Sequence, residues 1–217
     1  MFKLTTCLAA LILSLSLYSQ DNRFSVGIQA GPMFATVNPH PEVLEAGFRT
    51  GFFAGANARW AFTDSWTVQG NMQFSQRGFN YITRGTWIIL DGQAASFTGQ
   101  VDYRISYLDV VPQIEFKPIR YIGIAAGPYF SWQLGESIRY GEVIDWTSTK
   151  ENNQFDTADL GLAGKLSGNI GRLTVFVSYM HGLTNISKII IIDGTGTHLG
   201  RLSAYNRAIA AGAGFNF

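Results

Sequence analysis

The chain has 217 residues, 47% of them hydrophobic and 14% charged, with 16 Lys and Arg against 15 Asp and Glu. That length suffices for one domain with a substantial core or a closed sheet. The balanced charge gives no footing for a nucleic-acid partner, and one cysteine, Cys7, excludes a disulfide framework.

The first residues, MFKLTTCLAALILSLSLYSQ, join a basic Lys3, an apolar stretch over 8–17 and a small Ser19 before Gln20. These are the parts of a secretory signal peptide, expected over 1–19, and the stretch is too short for a comfortable membrane-spanning helix. Cys7 precedes the apolar stretch, so "LTTC" is read as part of the signal and not as a lipoprotein box. The expected mature domain, 20–217, has no later apolar run long enough for a membrane helix. If it inhabits a membrane, it crosses with strands.

From residue 24 onward the dominant period is two, the mark of strands with one apolar and one polar or small face. Phe24, Val26, Ile28 and Ala30 alternate with Ser25, Gly27 and Gln29. Phe52, Ala54, Ala56, Ala58, Trp60 and Phe62 then oppose Gly55, Asn57 and Arg59, and after "TDS" Trp66, Val68, Gly70, Met72 and Phe74 oppose Thr67, Gln69, Asn71 and Gln73. A fourth segment sets Leu108, Val110, Pro112, Ile114 and Phe116 against Asp109, Gln113, Glu115 and Lys117. After "PIR" a fifth carries Ile122, Ile124, Ala126, Pro128, Phe130 and Trp132 on one parity. The sixth places Leu160, Leu162 and Leu166 opposite Asp159 and Lys165, and the seventh carries Leu173, Val175, Val177 and Tyr179. The last, RAIAAGAGFNF, alternates Ile209, Ala211, Ala213, Phe215 and Phe217 with Gly212, Gly214 and Asn216.

These eight segments are joined alternately by long links (35–49, 81–100, 136–154, 185–204) and short ones ("TDS", "PIR", "NIG"). Even strand number with short turns at one end and long loops at the other is the pattern of an outer-membrane barrel, here all-β, antiparallel and up-and-down, with both termini on the periplasmic side. A soluble eight-stranded barrel shares the count but turns its apolar face inward. The aromatics decide between them. With strands running alternately up and down, Phe24, Trp60, Phe62, Trp66, Phe116, Phe215 and Phe217 fall near one end, and Phe34, Phe52, Phe74, Phe130, Trp132 and Tyr179 near the other. The same face between them is Ala, Val, Ile, Leu and Gly, which makes two aromatic girdles around an apolar band. The opposite face carries Arg59, Asp109, Glu115, Lys117, Asp159 and Lys165, more charge than a soluble core tolerates. Arg59 and Lys165 are expected to pair with Asp109, Glu115 and Asp159 inside a barrel narrow enough to be filled by side chains.

In the segments YLDVVPQIEFKP, YIGIAAGPYFSW, ADLGLAGKLSG, SYMHGLTNI and GAGFNF the chain resembles the outer-membrane β-barrel family common in Bacteroidota, often called PorT-like. The resemblance covers nearly all of the expected mature chain and implies a fold and its assembly, not a chemistry. It implies outer-membrane lipid and the barrel-assembly machinery as partners, with Phe217 resembling the terminal aromatic signal which that machinery recognises. Pro32, Pro112 and Pro128 fall inside expected strands, where proline removes a ladder donor. A bulge or missing hydrogen bond is therefore expected at Pro112.

No catalytic, cofactor or metal site emerges. His40, His181 and His198 are not at helical i,i+4 spacing, so a zinc-hydrolase motif is absent. Some eight-stranded barrels modify outer-leaflet lipid with a Ser–His–acid set, but Ser178 and His181 are of opposite parity and point to different faces. "DGTGTHLG" (193–200) does not match GxGxxG and reads as a loop tip. "WIILDGQAAS" (87–96) reads as a hairpin with a type I′ turn, so the third and fourth strands are expected to project beyond the bilayer. Trp87, Ile88 and Ile89, and Ile190 and Ile191, form apolar runs in expected loops. They either pack together to stiffen the rim or form a binding surface. The expectation is an outer-membrane protein without catalytic machinery or cofactor, presenting extracellular loops in a structural, adhesive or envelope-complex role with an envelope protein partner. An outer-leaflet lipid-modifying enzyme and a small-solute channel are the alternatives.

Overall fold

The alternation becomes a closed hydrogen-bonded ring in the computed structural model, which describes residues 23–40, 46–90, 93–149, 155–188, 190–192, 198–201 and 203–217. The expected signal peptide lies outside these residues. In chain order the strands are β1 (Phe24–His40), β2 (Gly47–Ala61), β3 (Trp66–Leu90), β4 (Gln93–Ile119), β5 (Ile122–Tyr140), β6 (Ile144–Ser148), β7 (Ala158–Ile170), β8 (Leu173–Gly182), β9 (Ile190–Ile192), β10 (His198–Arg201) and β11 (Ser203–Asn216). Eight of them close the ring in the order β1-β2-β3-β4-β5-β7-β8-β11, every pair antiparallel, with β11 returning to β1 from Gly27↔Asn216 to His40↔Ser203. Closure leaves the ring without an edge, which antiparallel sheets must otherwise protect.

The short links are tight turns at 62–65, 120–121 and 171–172, the last with Gly171 at φ 60°, in the left-handed region. Phe24 and Phe217 lie at this same end, where the Phe217 N–H donates to Val26 O at 2.8 Å. At the other end the strands run much further than the alternation foretold. The expected links 81–100 and 136–154 are largely strand, and β3 and β4 stay paired up to Leu90↔Gln93, the hairpin read from "DG". The reason is physical. Beyond the bilayer a ladder needs no apolar outward face, so hydrogen bonding continues where the sequence pattern stops. A transmembrane strand needs only about 10 residues, whereas β3 has 25 and β4 has 27. The surplus forms a collar above the barrel. Within it β6 pairs with β5 above the level of β7. Apart from the ring, β9 and β10 form a separate two-stranded sheet.

The prolines interrupt the ladder where expected. Between β4 and β5 pairing lapses between Val110↔Phe130 and Ile114↔Ala126, so Pro112 and Pro128 stand opposite each other without a register change. Between β1 and β11 it lapses between Ala30↔Ala213 and Met33↔Ala210, at Pro32. Glycine flanks both gaps, because a Cβ on Gly31 would overlap the Ala211 carbonyl oxygen and one on Gly127 the Pro112 carbonyl oxygen.

Candidate functional site

The inward parity builds the lumen from the residues that sequence alternation assigned to the polar face, and it is filled layer by layer. At the short-turn end Arg59 from β2 pairs with Glu115 from β4, whose other oxygen accepts from Ser167 Oγ at 3.1 Å. Lys117 lies 3.7 Å from Glu115, and Asn169, Thr174 and Asn216 continue the network around the wall. A Cβ on Gly123 would overlap Glu115, so the carboxylate fits only because β5 carries glycine there.

The middle layer is made of amides. Gln69 donates to Gln113 at 3.3 Å, Gln113 to Ala163 O at 3.3 Å, and Gln29 to Gln73 at 3.0 Å. Lys165 donates to Gln69 Oε1 at 2.9 Å and stands over the Phe176 ring, which packs on Phe53. No ion pair of Lys165 is found among the described residues, which corrects the expectation that it pairs with a carboxylate. Burial makes such pairing favourable only when a carboxylate is in reach, and here the amide of Gln69 is the nearer acceptor. A cavity of about 30 Å³ with a mixed lining, Asn71, Gln73, Lys165 and Ser178 beside Val111, Phe176 and Met180, remains in this layer, room for about one or two waters.

Above it lies the seal. Arg77 on β3 donates through Nη2 to Asp109 at 2.7 Å and to Ser131 at 3.1 Å, and through Nη1 to Asp159 at 3.2 Å. All three charged side chains are 0% exposed. Asp159 also accepts from Tyr129 OH at 2.8 Å, Asn206 at 2.9 Å and Thr184 at 3.0 Å, so strands on opposite walls are tied to one carboxylate. The guanidinium lies 4.9 Å from the Tyr107 ring centroid and 5.2 Å from that of Tyr129, capping it with π faces. An apolar plug of Val37, Phe79, Val101, Tyr103, Ile105, Ile138, Phe155 and Ile186 then closes the mouth. In it Phe79 stacks on Tyr103 at 4.9 Å and burial pushes the Tyr103 hydroxyl well above its ordinary pKa.

Arg77 is the residue that sequence reading missed. The apolar face of β3 ends at Phe74, where the alternating third segment stops, yet Arg77 is in phase with Thr67, Gln69, Asn71 and Gln73. Continuing the parity four residues would have placed it in the lumen. The six charges named from sequence, Arg59, Asp109, Glu115, Lys117, Asp159 and Lys165, all point inward on their strands.

On the outer wall Trp60, Phe62, Trp66, Phe116, Phe130, Trp132 and Phe215 are exposed. Trp66 packs on Phe116 at 4.8 Å and Phe215 on Phe217 at 5.5 Å near the short turns, with Phe52 on Phe74 at 5.6 Å and Phe130 on Trp132 at 6.2 Å near the collar. Phe52 and Trp60 are eight residues apart on β2, which on a strand tilted about 40° spans roughly 20 Å. The outward face between them is Ala54, Ala56 and Ala58. The wall is therefore an apolar band of membrane height.

His181 points outward and meets Tyr179 OH at 3.3 Å, while Ser178 lines the inner cavity, so the two do not form a catalytic pair. The backbones of Trp87, Ile88 and Ile89 belong to β3 and those of Ile190 and Ile191 to β9, but β9 pairs with β10 and not with the β3–β4 hairpin. The side chains of these five residues, and most of the 193–200 loop tip, lie outside the described part.

The pattern of the outer membrane protein beta-barrel domain family matches residues 18–188, and the chain belongs to that family. Its place is the outer membrane of a Gram-negative bacterium, with the short turns on the periplasmic side. The crystal structure of Neisserial surface protein A (NspA) is similar at TM-score 0.53 and 12% identity, over 88% of this chain and 97% of that one. Ail, the attachment invasion locus protein of Yersinia pestis, solved in complex with the heparin analogue sucrose octasulfate, gives TM-score 0.46 at 16% identity, over 90% of this chain and 99% of that one. OprG from Pseudomonas aeruginosa gives 0.41 at 15%, over 90% and 96%. At 12% identity the likeness to NspA is one of fold alone. No curated protein matches the chain.

Proposed function

We propose that this outer-membrane barrel is a closed, non-catalytic scaffold that holds a stiff collar above the outer leaflet for a structural, adhesive or envelope-complex role. The observation that carries the reading is the fully buried Arg77–Asp109–Asp159 cluster, which crosses the lumen beneath an apolar plug. A conducting pore needs a wetted path, and an eight-stranded barrel is just wide enough to be filled by side chains. The ladder running on through 25 and 27 residues of β3 and β4 supports the second half of the reading, because it lifts a hairpin clear of the membrane on a rigid base.

Within the family, the motifs YLDVVPQIEFKP and GAGFNF support the PorT-like Bacteroidota group. The partners of this reading are outer-membrane lipid around the band, the barrel-assembly machinery at Phe217, and an envelope protein at the collar. Two measurements test it. Planar-bilayer recordings of the purified barrel are expected to show no stable, large unitary current, and such currents would overturn the scaffold reading. Lipid A profiles of cells with and without the protein are expected to be identical, and a modified species dependent on the protein would replace the scaffold with an enzyme.

A further inference from the structure

We propose that the outer face of the collar carries a site for a phosphate group borne by an outer-leaflet glycolipid, formed by Arg49, Arg104 and Arg139 around Trp146. The guanidinium carbons of Arg104, Arg139 and Arg49 lie 4.3, 5.0 and 5.2 Å from the Trp146 ring centroid. One carboxylate shares the cluster. Asp102 accepts from Arg139 Nε at 3.3 Å and Nη2 at 2.9 Å, and its other oxygen accepts from Gln100 at 2.8 Å. The hydrogen bonds of Asp102 to the arginines thus go to Arg139, while its charge also acts on Arg49. Arg49 and Arg104 make no hydrogen bond to a described residue, and Arg49 Nη1 is buried without a partner. Burial and the neighbouring Arg104 push the Arg49 pKa down against the opposing pull of Asp102, so a further anion beside the two guanidinium groups would relieve both the desolvation and the repulsion.

The backbone is shaped to bring these side chains together. Between Ser106↔Gly135 and Tyr107↔Gln133 the β4–β5 register shifts by one, so that above the bulge Glu136 and Ile138 turn inward and Arg139 turns outward. β2 carries an extra residue relative to β3 between Phe48 and Phe53, and Arg49, inside that stretch, lies across Gly78. Gly78 has φ 146° and offers no Cβ for Arg49 to clear. Arg104 needs no such device, because it alternates with Val101, Tyr103 and Ile105, which fill the plug. Trp146 arrives on β6, which hydrogen-bonds to β5 at this level in place of β7.

Height and direction select the source of the phosphate. The cluster faces away from the lumen. On β4 the last exposed outward apolar residue is Leu108, four residues before which comes Arg104. That offset is about 10 Å above the apolar band on a tilted strand, at the outer edge of a headgroup layer about 5–8 Å deep. A planar guanidinium pair is suited to a phosphate dianion, which takes two forks at once. The site lies outside the lumen, so its test stands whether or not the barrel conducts.

The test uses the full barrel in zwitterionic detergent, titrated by calorimetry with a bisphosphorylated glucosamine-disaccharide lipid, its dephosphorylated counterpart and inorganic phosphate. The bisphosphorylated lipid is expected to bind saturably and at least tenfold more tightly than either of the others, with an affinity that falls as salt rises. Arg49→Gln with Arg104→Gln is expected to weaken it at least tenfold while heat-modifiable mobility is unchanged. Should that double variant fail to fold, Arg104→Lys, which keeps the charge and removes the fork, is expected to weaken binding several-fold. Equal binding of phosphorylated and dephosphorylated lipid, undiminished binding by the folded variants, or no binding by wild type would overturn the site. Inorganic phosphate binding as tightly as the lipid would overturn its assignment to a glycolipid.

Discussion

Arg77→Met removes the one cation that, among the described residues, holds two buried carboxylates, while keeping a side chain of comparable length. Arg77 makes three oxygen contacts, to Asp109 at 2.7 Å, Ser131 at 3.1 Å and Asp159 at 3.2 Å. Charge-assisted bonds contribute about 1.5–3 kcal/mol each, so the simple sum is too large, because the cation's own desolvation opposes it. What remains after the substitution sets the magnitude. Asp159 keeps Tyr129, Asn206 and Thr184 as neutral donors, but Asp109 keeps only Gln73 at 3.3 Å among the described side-chain donors. Breaking a buried pair in this way costs about 3–5 kcal/mol. Urea unfolding of the barrel in lipid vesicles, followed by tryptophan emission and by heat-modifiable gel mobility, is expected to show a loss of that size. Adding Asp109→Asn and Asp159→Asn to Arg77→Met is expected to recover most of it, since the stranded charges are then gone. A single variant within about 1 kcal/mol of wild type would refute the reasoning, as would a triple variant no more stable than the single.

At the short-turn end Arg59→Ala is expected to cost less, about 1–3 kcal/mol by the same unfolding assay, because Glu115 retains Ser167 at 3.1 Å and Lys117 at 3.7 Å. Ala56→Arg, on the outward face of β2 midway between Phe52 and Trp60, is expected to cost about 2–4 kcal/mol in a bilayer. Ser65→Arg, in an exposed short turn, is expected to cost under about 1 kcal/mol, and equal costs at the two positions would contradict the membrane band. Phe217→Asp places a charge beside Phe215 on the outer wall and is expected to lower the yield of folded barrel in outer-membrane fractions more than Ser65→Arg does.

Alternation by itself determined the ring. Within the bilayer each strand must show lipid an apolar residue at every second position, so Ile28, Ala56, Met72, Ile114, Ile124, Leu166, Val177 and Ala213 were assignable to the outer wall before any pairing was known. The same constraint made Arg59, Asp109, Glu115 and Asp159 legible as lumen residues, and proline chemistry marked the gap at Pro112. Above the apolar band the constraint ends. The outward face of β3 passes from Phe74 to Gln76, Gly78 and Asn80, and a strand there is indistinguishable by pattern from a loop. Arg77 and the rest of the collar escape sequence reading for this reason, whereas the β3–β4 hairpin is legible from its Asp-Gly pair.

Tertiary structure alone decided which charges meet. Parity says that Arg77, Asp109 and Asp159 share an interior, but strand tilt and register put one guanidinium between carboxylates 32 and 82 residues away in sequence and left Lys165 to an amide. The collar shows the same limit. Arg49, Arg104, Arg139 and Trp146 come from four strands, and two of the arginines reach the outer face only because one-residue irregularities re-aim them. A period of two is a local property that one sequence can display, whereas a bulge is a relation between two strands and exists only once they are paired.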